Sequence, residues 1–203
     1  MITIYNLFPS HLNLNGDAAN ADVLAKRLEW QGVPQRIVDI ETEEDLQAAN
    51  NHISRGGGDC ILVVGHGSQA ALKDLEKFQA ECKTLFDAAL AQGVASIVVA
   101  SGLELLGQTP SSLTERRSEF VFTDTTVEGW PQKAFGYLNS TYDCELVRVW
   151  RNAIITTLHG PFLAKNPDWL DALLQKLGIE PVTGPSAAKA REYAEKIWEQ
   201  NSK

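Results

Sequence analysis

A chain of 203 residues is long enough for one well-cored α/β domain and too short for two large ones. Apolar residues make up 44% and charged residues 22%, the balance of a soluble globular protein. A net charge of −8 and a pI near 5.0 exclude a binder of nucleic acid or of anionic membranes, since neither surface attracts an acidic protein.

The opening, "MITIYNLFPSHLN", lacks the basic and apolar regions of a secretory leader, and no apolar run approaches the roughly 20 residues that cross a bilayer. Cys60, Cys82 and Cys144 lie far apart without a Cys-x-x-Cys pair, a spacing that fits neither a disulfide framework nor a zinc site. The expectation is a cytoplasmic protein with no membrane span.

"ITIYNL" (2–7) reads as a buried first strand, rich in β-branched and aromatic residues. After the loop "FPSHLNLNGD", a helix is expected from Ala18 to Trp30, with Asp17 as N-cap and Val23, Leu24, Leu28 and Trp30 as its apolar stripe. Gly32 ends it and "QRIVDI" (35–40) forms a second strand, which predicts a parallel pair with a right-handed crossover. "TEEDLQAANNHI" is a short helix with Thr42 and Asp45 placed as a capping-box variant. "RGGGD" breaks the chain before "CILVVG" (60–65), an apolar strand of the mid-sheet kind. A helix over 69–91 closes at Gly93 and leads into the strand "SIVVA".

This β-α-β-α-β-α-β order predicts an α/β fold: a doubly wound, mostly parallel sheet flanked by helices. In the C-terminal half, "EFVFTDTTVEGW", "AFGYLNSTY", "CELVRVW" and "AIITTLHG" alternate apolar and polar residues, which suits antiparallel edge strands. Two helices end the chain, "NPDWLDALLQKLG" with Pro167 near its start and "GPSAAKAREYAEKIWEQ". No repeat, low-complexity tract or long linker divides residues 1–203, so one domain is expected.

Ligands of doubly wound sheets bind beyond the carboxyl ends of the strands. Four segments should gather there: His11 to Asp17, "GHGSQ", "ASGLELLG" and "LHGPF". His159, directly after an apolar strand, is sited either as a general base or as a histidine bonded to a loop carbonyl. "GHGSQ" (Gly65, His66, Gly67, Ser68) either points N–H groups at an oxyanion or is a tight turn with Ser68 as N-cap; His66 is a second candidate histidine. Asn13, Asn15 and Asp17 could meet a ligand or make an ordinary turn. "ERR" (115–117) reads as a solvated loop. There is no Walker loop, no Gly-x-Gly-x-x-Gly spacing and no metal-spaced histidine–carboxylate cluster, so no cofactor or metal is expected.

Together these segments resemble the class I glutamine amidotransferase domains of the cobyric acid synthase type, and among them the glutaminase subunits of lipid II isoglutaminyl synthases. "LNLNGDAAN" is similar to the family's Leu-Asn-Leu-x-x-Asp-x-x-Asn segment, "ILVVGHGSQ" to its strand and oxyanion loop, and "LHGPFLAKN" to its catalytic-histidine motif. The resemblance implies a cysteine nucleophile in Cys-Gly-Gly-x-Gln-x-Leu-Gly, His159 in the position of the base, and an ATP-dependent, Mur-ligase-like partner subunit.

At the elbow the chain departs from that pattern. Anchoring Gly102, Leu106 and Gly107 on the motif puts Ala100 at the nucleophile, Ser101 next and Glu104 at the glutamine position. Alanine has no nucleophilic atom. His66 and Gln69 stand where the family has Gly and Asp, no arginine falls at the carboxylate-holding position, and Asn139 matches a family asparagine without the residues that should follow it.

The leading expectation is an amidotransferase-like protein without glutaminase activity, acting as a binding or partner subunit, with a small-molecule ligand in the old pocket as an option. The alternatives are an active amidotransferase subunit, a serine hydrolase using Ser101 and His159, and a plain interaction module.

Overall fold

The structure is a computed structural model describing residues 1–56, 58–108, 111–143, 145–181 and 183–201, without the side chains of 111–114 and 142. In chain order its elements are β1 (Ile2–Leu7), α1 (Asn20–Trp30), β2 (Gln35–Ile40), α2 (Glu43–Ser54), β3 (Cys60–Val64), α3 (Gln69–Leu75), α4 (Gln79–Gln92), β4 (Ala95–Val99) and α5 (Gly102–Leu105). There follow β5 (Ser111–Asp124), β6 (Lys133–Asp143), β7 (Val147–Trp150), β8 (Ala153–Thr156), β9 (Leu158–His159), α6 (Phe162–Lys165), α7 (Pro167–Gln175) and α8 (Pro185–Asn201).

Six strands form one sheet in the order β2-β1-β3-β4-β8-β7, parallel except for β7, which runs antiparallel to β8. The apolar runs explain why its centre is covered on both sides. Successive residues of a strand point to opposite faces, so Leu62 and Val64 join one core with Leu46, Ile53, Leu85 and Phe86 of α2 and α4. Ile61 and Val63 join the other with Leu24 and Leu28 of α1 and Leu170 and Leu173 of α7. The chain lays β2 on one side of β1 and then returns to place β3 on the other. This reversal opens the crevice beyond the strand ends, between the loops that follow β1 and β3.

The capping box at Thr42 and Asp45 is present, Gly93 ends α4 in the left-handed region (φ 67°), and Pro167 opens α7. Four expectations need correction. Asp17 does not cap α1: a 3-10 turn, Asp17–Ala19, precedes the helix, and it is Asn13 Oδ1 that accepts the Ala18 N–H at 3.1 Å. The helix expected over 69–91 is broken into α3 and α4 by a 3-10 turn at Glu76–Phe78.

The late strands divide differently from the edge strands expected. β8 is buried throughout and pairs parallel with β4 inside the main sheet, while β5, β6 and β9 form a separate antiparallel sheet. Residues 115–117 lie on β5, exposed, instead of in a loop. Cys144 lies outside the described residues. No helix among the described residues is long and apolar enough to cross a membrane.

Asn166 clips the two sheets' supports together. Its Oδ1 accepts the Phe135 N–H and its Nδ2 donates to the carbonyls of Phe135 and Phe162, all at 2.9 Å. A buried amide with three partners imitates a neighbouring strand and holds β6 against the α6–α7 corner.

Candidate functional site

β4 stops at Val99 and the chain turns sharply at Ala100, whose φ of 43° is in the left-handed region although it is not glycine. Such a conformation costs about 1–2 kcal/mol for an L residue. The surroundings hold it: Ala100 N–H donates to Thr156 O at 2.8 Å, its carbonyl accepts from Leu103 N at 3.1 Å, and its methyl is wholly buried. A strained strand-to-helix bend of this kind is where α/β enzymes present a nucleophile. Here it presents a methyl group.

Three glycines let the neighbouring loops close on the bend. A Cβ on Gly102 would stand 2.6 Å from Gly65 O, one on Gly65 only 1.9 Å from Leu12 O, and one on Gly67 2.9 Å from Leu12 Cδ2. The loops after β1, β3 and β4 therefore touch backbone to backbone. Ser68 is the N-cap of α3, accepting from Ala71 N at 3.2 Å, as the turn reading of "GHGSQ" expects.

Ser101 is 1% exposed and turned into this contact. Its Oγ accepts from Gly67 N at 3.1 Å, and its one hydrogen has two acceptors in reach, His66 Nδ1 at 2.7 Å and Gly67 O at 2.9 Å. The Ser101 N–H also donates to His66 Nδ1, at 3.3 Å. An Nδ1 that receives an N–H is the unprotonated nitrogen, which leaves the ring hydrogen of the neutral imidazole on Nε2. Burial first, then the neighbouring His159, pushes the His66 pKa down to about 4; Asp17 opposes this and Arg116 adds to it. His66 is a neutral ring at neutral pH.

The rings of His66 and His159 lie 4.5 Å apart, tilted by 49°. His159 is 1% exposed and its Nε2 donates to the carbonyl of Asn139 at 3.1 Å. Asn139 thus meets it through the main chain of β6. Nδ1 of His159 faces Asp17 Oδ2 at 3.6 Å, and Asp17 Oδ1 accepts the Gly160 N–H at 2.8 Å. Lys165 Nζ donates to the His159 carbonyl at 2.8 Å; burial lowers the lysine's pKa against the opposing pull of Asp17. Asn20, wholly buried, ties the Asp17 carbonyl to the Leu163 N–H, at 2.8 and 3.0 Å.

The fold thus gathers the buried Ser101, His159 and Asp17 and the half-buried His66 into one polar cluster. Asn15 contributes a buried Nδ2 without a hydrogen-bond partner among the described residues. Glu104 instead lines a cavity of about 290 Å³ with Gln69, Lys73, Glu76 and Gln79, on which neither Ser101 nor His159 opens. Gln79 Nε2 donates to the Glu104 carbonyl at 2.8 Å. Sequence reasoning missed Asn20, Lys165 and Asn166, although the first ends "LNLNGDAAN" and the others end "LHGPFLAKN"; beside their apolar runs the fold buries the two asparagines and half-buries the lysine.

No family model matches the chain. It is similar to the lipid II isoglutaminyl synthase (glutamine-hydrolyzing) subunit GatD of Staphylococcus aureus strain N315, at 24% identity over 212 aligned positions, covering 86% of this chain and 84% of that protein. This distant likeness supports a glutamine-amidotransferase-like relationship. The α/β architecture is consistent with the class I amidotransferase fold and is shared by other folds as well.

Proposed function

We propose that this chain is an amidotransferase-like protein without glutaminase chemistry, which keeps the fold as a single-domain, cytoplasmic binding or partner subunit. The observation that carries the reading is Ala100 at the strained end of β4. Attack on the side-chain amide of glutamine needs a sulfur or oxygen lone pair at the bend, and a methyl group has none. His159 stands where the resemblance puts the base, with Nδ1 facing Asp17, but its Nε2 is engaged on the Asn139 carbonyl instead of a nucleophile. Cys60 and Cys82 offer no substitute, since both are fully buried and burial pushes their thiols up to about 12. The similar protein is by name one subunit of a larger synthase, and an ATP-dependent, Mur-ligase-like subunit is the partner this reading assigns.

The test is glutamine hydrolysis by the purified chain, alone and with any co-purifying ligase. Ammonia release no greater than the blank is expected; turnover that Ser101→Ala abolishes would overturn the reading.

One observation favours a second reading. The 2.7 Å contact between Ser101 Oγ and the neutral His66 has the form of a serine–histidine dyad, with His66 in place of His159 as the base. Fluorophosphonate labelling of Ser101 would support that hydrolase, and an unlabelled chain would dismiss it.

A further inference from the structure

We infer that His66 closes the site: its imidazole, together with the Ser101 hydroxyl it touches, takes the donors that would hold a substrate's acyl oxygen, so that hydrolysis is blocked at position 66 as well as at position 100. This rests on the reading of Ala100 as the nucleophile position.

An oxyanion hole needs at least two preorganised donors aimed at one point about 2.7–3.1 Å away. At an elbow, one donor is the N–H of the residue after the nucleophile, and the second comes from a neighbouring loop. Those groups here are the N–H of Ser101 and the N–H of Gly67. Both already end on this chain's own side chains. Ser101 N–H donates to His66 Nδ1, Gly67 N–H donates to Ser101 Oγ, and Oγ in turn lies 2.7 Å from the same Nδ1. The donors, the hydroxyl and the ring form a closed circuit, and both N–H groups are taken.

The far side of the His66 ring is backed by His159 at 4.5 Å, so the imidazole is held from two directions. Retreat of the glycine loop cannot release it easily, because Gly65 and Gly67 are already in backbone contact with Leu12 and His11. Opening therefore requires rotation of the His66 side chain. The charged and titratable groups that act on that ring are His159 from β9, Asp17 from the 3-10 turn and Arg116 from β5.

The test compares Ala100→Cys with the double variant Ala100→Cys/His66→Gly. Alkylation of the thiol introduced at position 100 by iodoacetamide is followed by mass spectrometry. With His66 present, that thiol should react slowly; with glycine at position 66 it should react about tenfold faster or more, since access limits a buried thiol. Equal rates in the two proteins would overturn the inference. Cys60 and Cys82 report integrity of the fold, because they are fully buried and become reactive only if a variant unfolds. A second measurement needs no variant: ¹⁵N NMR of the unmodified chain should find His66 with Nδ1 unprotonated and accepting. A hydrogen on Nδ1 would equally overturn the closure. Neither readout depends on glutamine turnover, so failure of the closure is distinct from failure of the nucleophile reading, which the glutaminase assay reports.

Discussion

Nδ1 of His159 and Oδ2 of Asp17 face each other 3.6 Å apart in the protein interior, and neither atom has a hydrogen-bond partner among the described residues. The other oxygen of Asp17 holds the Gly160 N–H, so one carboxylate ties the loop after β1 to the turn that follows β9. Asp17→Ala should strand that N–H and destabilise the protein by about 1–3 kcal/mol. Asp17→Asn keeps an acceptor for Gly160 and should cost less. Urea midpoints of the two variants check the order, and equal losses would count against this tie.

The acid limb of stability should carry a signature of His66. Its folded pKa of about 4 lies below the ordinary 6.5, so the unfolded chain takes up the proton first. The contribution of the neutral ring is complete above pH 6.5 and is lost as pH falls from there through 4. The full one-proton slope is about 1.4 kcal/mol per pH unit, and partial exposure of the ring reduces it. Melting temperatures of the unmodified protein and of His66→Asn, measured from about pH 7 down to about pH 4, should converge as acid removes the advantage of the imidazole. Parallel curves would show that the ring titrates normally.

Position 100 can be tested for strain independently of any chemistry. Ala100→Gly relieves the left-handed conformation but loses a buried methyl and adds freedom to the unfolded chain, so its net effect should stay within about 1 kcal/mol of zero. Ala100→Val places a β-branched residue at positive φ in a fully buried site and should cost about 3 kcal/mol or more. Chemical denaturation distinguishes the two, and a valine variant as stable as the parent would contradict the bend.

The first four strands were legible because their signals are local: continuous apolar runs, a capping box at Thr42 and Asp45, and a glycine at position 93. β8 was misread for want of a local cue. "AIIT" is buried on both faces because β4 and β7 hold it inside the main sheet, with Ala153 and Ile155 in one core and Ile154 in the other, and choice of neighbour is settled between segments far apart in sequence. In the site, the sequence brought the right segments together but did not show which side chains would pair. Asp17 beside Gly16 looks like a cap, yet its oxygen bonds a residue 143 positions away. Ser101 drew attention as a partner for His159, whereas its ring contact is His66, 35 positions earlier. Polar side chains with several plausible partners are sorted by packing, and spacing along the chain does not encode that sorting.

Gly65, Gly67 and Gly102 answer to packing alone. Each is demanded by the interlocking of loops: a methyl group at any of them would strike a neighbouring carbonyl oxygen or side chain. Keeping the domain folded is therefore enough to retain the glycines, with no reaction needed to maintain them. Position 100 is under a looser demand, because any small side chain that tolerates the bend leaves the interlock undisturbed. A glycine-rich crossing of loops at a strand end is therefore evidence of packing, and chemistry has to be read from the side chains around it. Such a crossing is stable as architecture whether or not a reaction runs beside it.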